Sequence, residues 1–389
     1  MKPEFPKNAG ESRNWRLHAW FEQKLELDRA GSSSNLRPME GLRGLAVFLV
    51  FLVHFVSLTE PWWKEKVRLA QIATNVHAMG NVGVDLFFVL SGFLIYGALI
   101  SKVQPFWGFV ARRIRRIYPT FLVVFFVYLM LSWLVPSKSK LPQEADATLV
   151  YILQNLLLMP GLWPIEPLIT VAWSLSYEVF YYLLMPVLIG VFGLRDCGRR
   201  TRVLFFIVLG AGASIAFSLL GGPVRMLMFV SGILLFEARA AGLGRTLGSG
   251  LGLISLVLAL MLAMQPAPGP EAQVGWTLLL GFLFFVLCLS VFYSREVFLA
   301  RALSWTPLRW LGNMSYSYYL IHGLALNAAV LILPYALPVA AVGPMLFLLL
   351  VPLLFAVTLI PSFLLFVLIE RPLSLTASPV KSVATPINH

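Results

Sequence analysis

The chain has 389 residues, 59% of them hydrophobic and only 12% charged, against about a quarter charged in soluble domains. This excludes a soluble globular fold, and two cysteines in separate segments, Cys197 and Cys288, exclude a disulfide framework or a thiolate metal cluster. A formal charge of +12 is of the size carried by nucleic-acid binders, so the placement of that charge has to be read before a partner is assigned.

In chain order, the N-terminal arm (1–35) comes first. Trp15, Leu17, Trp20, Phe21 and Leu25 recur at near-helical spacing among Arg16, Lys24 and Arg29, which predicts an interfacial amphipathic helix. A disordered tail is the alternative, and Gly31-Ser-Ser-Ser-Asn35 reads as a linker. No cleavable signal peptide is expected, because the first forty residues are polar and too long for an n-region, so the first span should act as a signal anchor.

Windows of about 20 residues then predict ten spans: roughly 42–58, 82–100, 118–135, 171–192, 203–220, 225–240, 247–264, 275–293, 312–333 and 341–369. The fold class is therefore all-α and polytopic, with about ten transmembrane helices and, the count being even, both termini on one side. If that side is cytoplasmic, the inner segments carry 23 of the 30 lysines and arginines, and the outer ones only Lys64, Lys66, Arg68, Lys138, Lys140 and Arg225. This positive-inside bias supports both count and orientation, and it accounts for the basic charge with no nucleic-acid partner. The organisation expected is a cytoplasmic arm (1–35), a membrane domain (36–372) and a short cytoplasmic tail (373–389), in a bacterial-type inner membrane.

Ionisable groups within these spans are costly in hydrocarbon and are site candidates for that reason. In the first span Arg43 and His54 lie eleven residues apart, three helical turns, so they share a face roughly 16 Å apart. The second opens Gly83-Val-Asp85 and continues to Ser91-Gly92. Antiparallel packing would bring Asp85 to the depth of His54, where a carboxylate orients an imidazole; the alternative is that Asp85 reaches the headgroups. Ser91 and Gly92 are equally readable as small-residue helix packing.

Arg112-Arg113-Ile-Arg115-Arg116 precedes the third span. The four guanidiniums either anchor the helix or, with Arg113 and Arg116 on one face, hold phosphates of a ligand such as coenzyme A. The loop 136–170 contains an apolar run, 149–159, too short to span and so re-entrant or interfacial. The fourth span carries Trp173-Ser-Leu-Ser176-Tyr-Glu178 with Tyr182, and Glu178 lies about two turns inside. Asp85 and Glu178 together would cost roughly 5–7 kcal/mol near the bilayer centre, which predicts that both face one polar cavity. His322 in Leu311-Gly-Asn313 through His322 is either a site residue or a hydrogen-bonded structural histidine, and Glu370-Arg371 should close the last helix. His18, His77 and His389 fall in arms or loops.

No zinc signature, phosphate-cradling glycine loop or serine-nucleophile elbow is present, which argues against soluble hydrolase, kinase and metalloenzyme classes. Histidine, carboxylates and arginines on apolar helices fit two classes, a membrane-embedded enzyme or a proton-coupled transporter; no inverted repeat favours the second.

Five of these stretches, in this order, resemble acyltransferase family 3, the integral membrane O-acyltransferases: Glu40-Gly-Leu-Arg43-Gly through His54, Gly83-Val-Asp85 through Phe93, Arg113-x-x-Arg116 with Pro119, Trp173-Ser-Leu-Ser-x-Glu178 with Tyr182, and Leu311-Gly through His322. The resemblance covers roughly residues 36–372. It implies ten membrane helices and transfer of an acyl group, usually acetyl from acetyl-CoA, to a hydroxyl of a cell-envelope sugar or polysaccharide, with acylation of a small molecule such as a macrolide sugar as the alternative. Residue by residue, Arg43 and His54 match the essential pair of the first motif, Arg113 and Arg116 the element associated with the acyl-CoA donor, and Glu178 the acid of the Trp-Ser-Leu-Ser motif. With the reading of the residues above, the expected site is catalytic His54, Asp85 and Glu178 and substrate contacts from Arg43, Arg113, Arg116, Glu40 and His322, with no metal, no resident cofactor and the acyl-CoA as donor substrate. Two departures stand out: Glu40 occupies a position where the family usually has aspartate, and Val179 follows Glu178 where many members have a second acid. Longer members append a domain outside the membrane, which a chain of this length is expected to lack.

Overall fold

The computed structural model describes residues 19–27, 37–245, 247–266, 269–292, 298–338 and 343–375. Its main elements are α1 (Arg37–Leu58), α2 (Val67–Ser101), α3 (Phe106–Leu134), α4 (Ala145–Leu156), α5 (Ala172–Val191), α6 (Arg199–Leu220), α7 (Leu227–Ala240), α8 (Ser249–Ala263), α9 (Pro270–Phe292), α10 (Thr306–Asn313), α11 (Ser315–Ala336) and α12 (Pro344–Leu365). A π-helical segment, Phe366–Leu375, continues α12. Among the described residues there is no β-strand. The chain is an all-α, multi-pass membrane protein.

The polytopic all-α class holds, and among the described residues the structure separates long apolar helices from short ones. Eight helices, all but α4, α7, α8 and α10, are long and apolar enough to cross a bilayer. The predicted spans at 225–240 and 247–264 are helices in the expected places, but with 14 and 15 residues they extend only about 21–23 Å, short of a hydrocarbon core of about 30 Å. The chain breaks ahead of α7 at Gly221 and Gly222, both at positive φ, followed by Pro223. Conversely α2 begins fifteen residues before the predicted start, so that His77 lies within a helix rather than a loop.

The core forms around α1 and α2, which pack along each other; α1 also meets α10 and α11, and α2 meets α7. Backbone approach is closest at the Glu40-Gly41-Leu-Arg43-Gly44 stretch. A Cβ on Gly41 would sit 1.7 Å from the Leu303 carbonyl oxygen, one on Gly44 2.2 Å from that of Leu308, and one on Gly312 1.7 Å from that of Glu40. Small residues let membrane helices approach this closely, and here they fix the depth and rotation of the helix bearing Arg43 and His54. Gly41→Ala and Gly312→Ala are each expected to destabilise the fold by about 1–3 kcal/mol or more, since only backbone can move aside. Gly212→Ala in α6, where a Cβ meets open space, should be neutral; thermal unfolding in detergent measures both.

Residues 19–27 are the described part of the N-terminal arm and hold the end of the expected interfacial helix. Residues 19–25 are helical and dock on the bundle. Trp20 and Phe21 pack against Phe363, Asn313 donates to the Leu25 carbonyl at 3.0 Å, and Glu26 pairs with Arg309. Trp15 and Leu17, the linker 31–35 and nearly all of the tail lie outside the described residues. The apolar run of the 136–170 loop is α4. Its Leu149, Val150, Leu153 and Leu157 are exposed, as an interfacial helix requires, while Asn155 is buried and accepts from the Leu168 backbone N–H at 2.7 Å. That bond folds 157–171 back over the end of the bundle.

Candidate active site

Two cavities lie in line within the bundle and share one wall. The first, about 140 Å³, is lined by Arg43, Arg113, Arg116, Ser91, Ser174, Glu178, Tyr182, Ser315 and Tyr319 among apolar residues. The second, about 410 Å³, is lined by His54, Ser57, Ser132, Lys138, Lys140, Thr170, Asn327 and again Tyr319. The helices set their order. His54 lies about 16 Å along α1 from Arg43, and the end of α3 lies about 27 Å beyond Arg116, so the arginine chamber opens towards one end of the bundle and the histidine chamber towards the other.

In the arginine chamber each charge has a different situation. The Arg43 guanidinium donates to Ser315 Oγ at 2.8 and 3.2 Å. Glu178 accepts from Ser91 Oγ at 3.2 Å and from Tyr182 OH at 2.5 Å, both from helices that line the same space. Arg116 pairs at 2.5 Å with Glu370, which is fully buried and also accepts from the Ser317 N–H and Oγ at 3.0 and 2.5 Å. Arg113 lies over the rings of Phe109 and Tyr182, and its buried Nε has no hydrogen-bond partner among the described residues. A buried cationic donor left open in this way is a costly arrangement that an incoming oxygen acceptor would relieve.

In the histidine chamber the group beside His54 is His322, with ring centroids 5.0 Å apart and edge-to-face. His322 Nδ1 is 2.9 Å from the carbonyl oxygens of both Tyr318 and Tyr319. Carbonyls only accept, so Nδ1 carries the proton and Nε2 is the acceptor; that nitrogen is buried without a partner among the described residues. Tyr318 stacks on the His322 ring and shares a hydrogen bond with Thr358 at 2.8 Å, which holds the ring from behind.

The wall between the chambers is Tyr319. Its hydroxyl donates to the Val171 carbonyl at 3.1 Å and is 2.6 Å from Ser174 Oγ. Val171 lines the histidine chamber and Ser174 the arginine chamber, so one side chain is fastened to both.

The structure thus gathers Arg43, Arg113, Arg116 and Glu178 around one space and sets His54 on the next, with His322 ring to ring behind it, fully buried and lining neither chamber, not in the place expected of a substrate contact. Two more expectations are placed differently. Asp85, buried in α2, has Arg225 as its ionic neighbour at 3.6 Å, with Arg225 lying over the Trp173 ring, and it lines neither chamber; the group packed against His54 is an imidazole, not this carboxylate. Glu40 also lines neither chamber. It accepts from Arg309 at 2.9 Å and ties the start of α1 to α10, a fixed ion pair that occupies the carboxylate. Glu370 does not merely close the last helix: the π-helical segment turns it inward to Arg116. Tyr319 and Ser315 were not singled out from sequence. A tyrosine or serine among apolar residues carries no charge signal, and only the shared wall reveals the first of them.

The chain is similar to known proteins over about three quarters of its length. The peptidoglycan O-acetyltransferase OatA of Listeria monocytogenes is 28% identical over 331 residues, 75% of this chain and 49% of that protein. YrhL of Bacillus subtilis is 27% identical over 323 residues, covering 74% of this chain and 48% of its own length. The acyltransferase MdmB of Streptomyces mycarofaciens is 27% identical over 322 residues, 75% of this chain and 79% of that protein. The chain therefore spans about half the length of the first two. No solved structure matches significantly. The acyltransferase domain family matches residues 38–367, every element that lines the two chambers included, and the chain belongs to that family.

Proposed function

We propose that this protein is an O-acyltransferase of a bacterial-type inner membrane that moves an acyl group, acetyl from acetyl-CoA, from the cytoplasmic side to a hydroxyl of a cell-envelope sugar. The observation that carries the reading is the pair of chambers meeting at Tyr319, one lined by three arginines and Glu178, the other by His54. Family membership and the relatives named as peptidoglycan O-acetyltransferases support the reaction class and the choice of acceptor. The positive-inside bias assigns the arginine end to the cytoplasm, where a coenzyme A thioester is found.

The first chamber is smaller than the roughly 300–1,000 Å³ of sites that enclose a whole ligand, so it suits the acyl end of the donor, with the nucleotide outside. Arg113, with its open Nε, meets donor oxygen; Arg43, held by Ser315, stands on the same wall. Arg116 is engaged by Glu370 and contributes field and shape rather than a free phosphate fork. The acceptor hydroxyl lies in the second chamber, and the thioester carbonyl meets it where Tyr319 swings aside from Val171 and Ser174. His54 takes the hydroxyl proton as the oxygen attacks that carbonyl, the carbon–sulfur bond breaks, and the proton passes from His54 to the departing sulfur, so that coenzyme A leaves as the thiol. His322, protonated at Nδ1, packs edge-to-face against the His54 ring and limits its rotation, so the neighbour that orients His54 is an imidazole rather than Asp85. Glu178 with Tyr182 fixes the polar wall nearest the acyl group.

The test is a proteoliposome that consumes acetyl-CoA and releases free coenzyme A only when a glycan acceptor is present on the far side. Arg113→Ala should raise the donor KM about tenfold or more, the loss of a charge-assisted contact of ~1.5–3 kcal/mol, with acceptor KM unchanged. Acceptor-independent turnover, or an unaltered donor KM in the variant, would count against the assignment.

A further inference from the structure

The histidine chamber has a charge pattern that the transfer reaction itself does not require. Its lining contains two lysines, Lys138 and Lys140, and no carboxylate. Lys138 ends a short 3₁₀ turn, Pro136–Lys138, directly after α3, and is exposed. Lys140 donates to the Pro167 carbonyl at 3.0 Å and pairs at 3.1 Å with Glu166, which is 65% exposed and outside the lining. Both lysines lie past the opposite end of α3 from Arg112 to Arg116, on the face where the positive-inside bias depletes cations. Anchoring by that bias therefore does not account for them.

The rest of the lining fits a sugar. Ser57, Ser132, Thr170 and Asn327 offer hydroxyl and amide partners, the apolar residues offer a surface for a pyranose face, and about 410 Å³ is within the range of small-ligand sites. Apolar walls around a cleft focus the field of its charges, so the Lys138 ammonium, with Lys140 beside it held by the exposed Glu166, leaves a net positive entrance that attracts an anion and orients it before it contacts His54.

We infer that the second chamber, with Lys138 and Lys140 at its entrance beside His54, binds an acceptor bearing a carboxylate or phosphate close to the hydroxyl that is acylated. This rests on the acceptor assignment made above and narrows it from sugars in general to anionic ones. The lysines touch the anionic substituent, not the reacting oxygen, and act on binding.

The experiment uses the full chain in nanodiscs and two probes on one scaffold: the disaccharide N-acetylglucosaminyl-N-acetylmuramic acid, whose lactyl group is a free carboxylate, and its methyl ester. Binding is measured without donor at low salt and at 0.5 M salt. The acid should bind at least tenfold more tightly than the ester at low salt, and the advantage should shrink as the Debye length falls below the size of the chamber. Lys138→Gln with Lys140→Gln should remove the advantage while leaving ester binding unchanged, and Lys138→Arg with Lys140→Arg should retain it. Equal binding of acid and ester, no binding of either, or an equal loss for both in the glutamine variant would overturn the inference. Acyl transfer is followed in the same preparation. Transfer to the ester with no preference for the acid refutes the charge inference alone, whereas preferential binding of the acid with no transfer to either probe refutes the transferase reading and leaves the charge inference standing.

Discussion

Replacing His54 by Gln is expected to lower acyl transfer by about 10²–10⁴-fold, the contribution of one positioned general base, while leaving the fold and membrane insertion intact. Glutamine keeps a polar group of similar reach in the chamber but cannot take a proton at neutral pH. His54 is partly open to the cavity and makes no side-chain hydrogen bond to the bundle among the described residues, so stability should change little. The effect should fall on kcat, with donor binding unaltered, because the donor site lies on the other side of Tyr319. His322→Gln should give a smaller loss with a displaced pH profile, since it removes the ring packed against His54 rather than the base itself. The measurement is coenzyme A release at saturating donor and acceptor, beside thermal unfolding of each variant. Activity within threefold of the parent in well-folded His54→Gln would remove His54 from the mechanism.

Hydropathy made the long helices readable, and charge within apolar segments pointed to most of the arginine chamber. Arg43 and Glu178 stand out because hydrocarbon does not tolerate such groups without a purpose, Arg113 and Arg116 as a basic pair on one helix face ahead of a span, and all four line one space. The same rule says nothing about which charge pairs with which. Asp85 was matched by depth to His54, but its neighbour Arg225 sits 140 residues further on, at the foot of the short helix α7, and only packing brings it there. Glu370 reads in the sequence as closing the last helix; a π-helical turn, which the hydropathy pattern does not show, directs it inward to Arg116. The two short helices at 227–240 and 249–263 show the limit of windowed hydropathy, which scores composition and overlooks a break such as Gly221-Gly222-Pro223. Tyr319 carries no sequence signal, because its importance lies in being shared by two cavities.

Glu370→Ala is expected to destabilise the protein by about 3–5 kcal/mol, the cost of leaving the Arg116 guanidinium buried without its counter-ion. Against a typical total of about 5–15 kcal/mol this is a large share, and it should appear as a marked fall in the unfolding temperature in detergent or nanodiscs. The carboxylate also accepts from Ser317 N–H and Oγ, so truncation orphans α11 donors as well as the guanidinium. Glu370→Gln keeps an acceptor for Ser317 but not the charge, and should fall between the parent and the alanine variant. The informative change is the double replacement of Arg116 by Met and Glu370 by Leu, which exchanges the ion pair for apolar groups of similar volume. Buried pairs replaced in this way often recover stability in full or exceed it. If Arg116 serves only to hold α3 against the segment after α12, the double variant should regain both stability and transfer. If its charge shapes the arginine chamber for the donor, stability should return while donor KM stays raised and turnover stays low. We expect the second pattern, because the Arg116 side chain is 22% exposed beside Arg113 and Glu178, whereas a purely structural pair would be closed off from the cavity. Full recovery of turnover in the double variant would leave Arg113 and Arg43 as the cations that meet the donor.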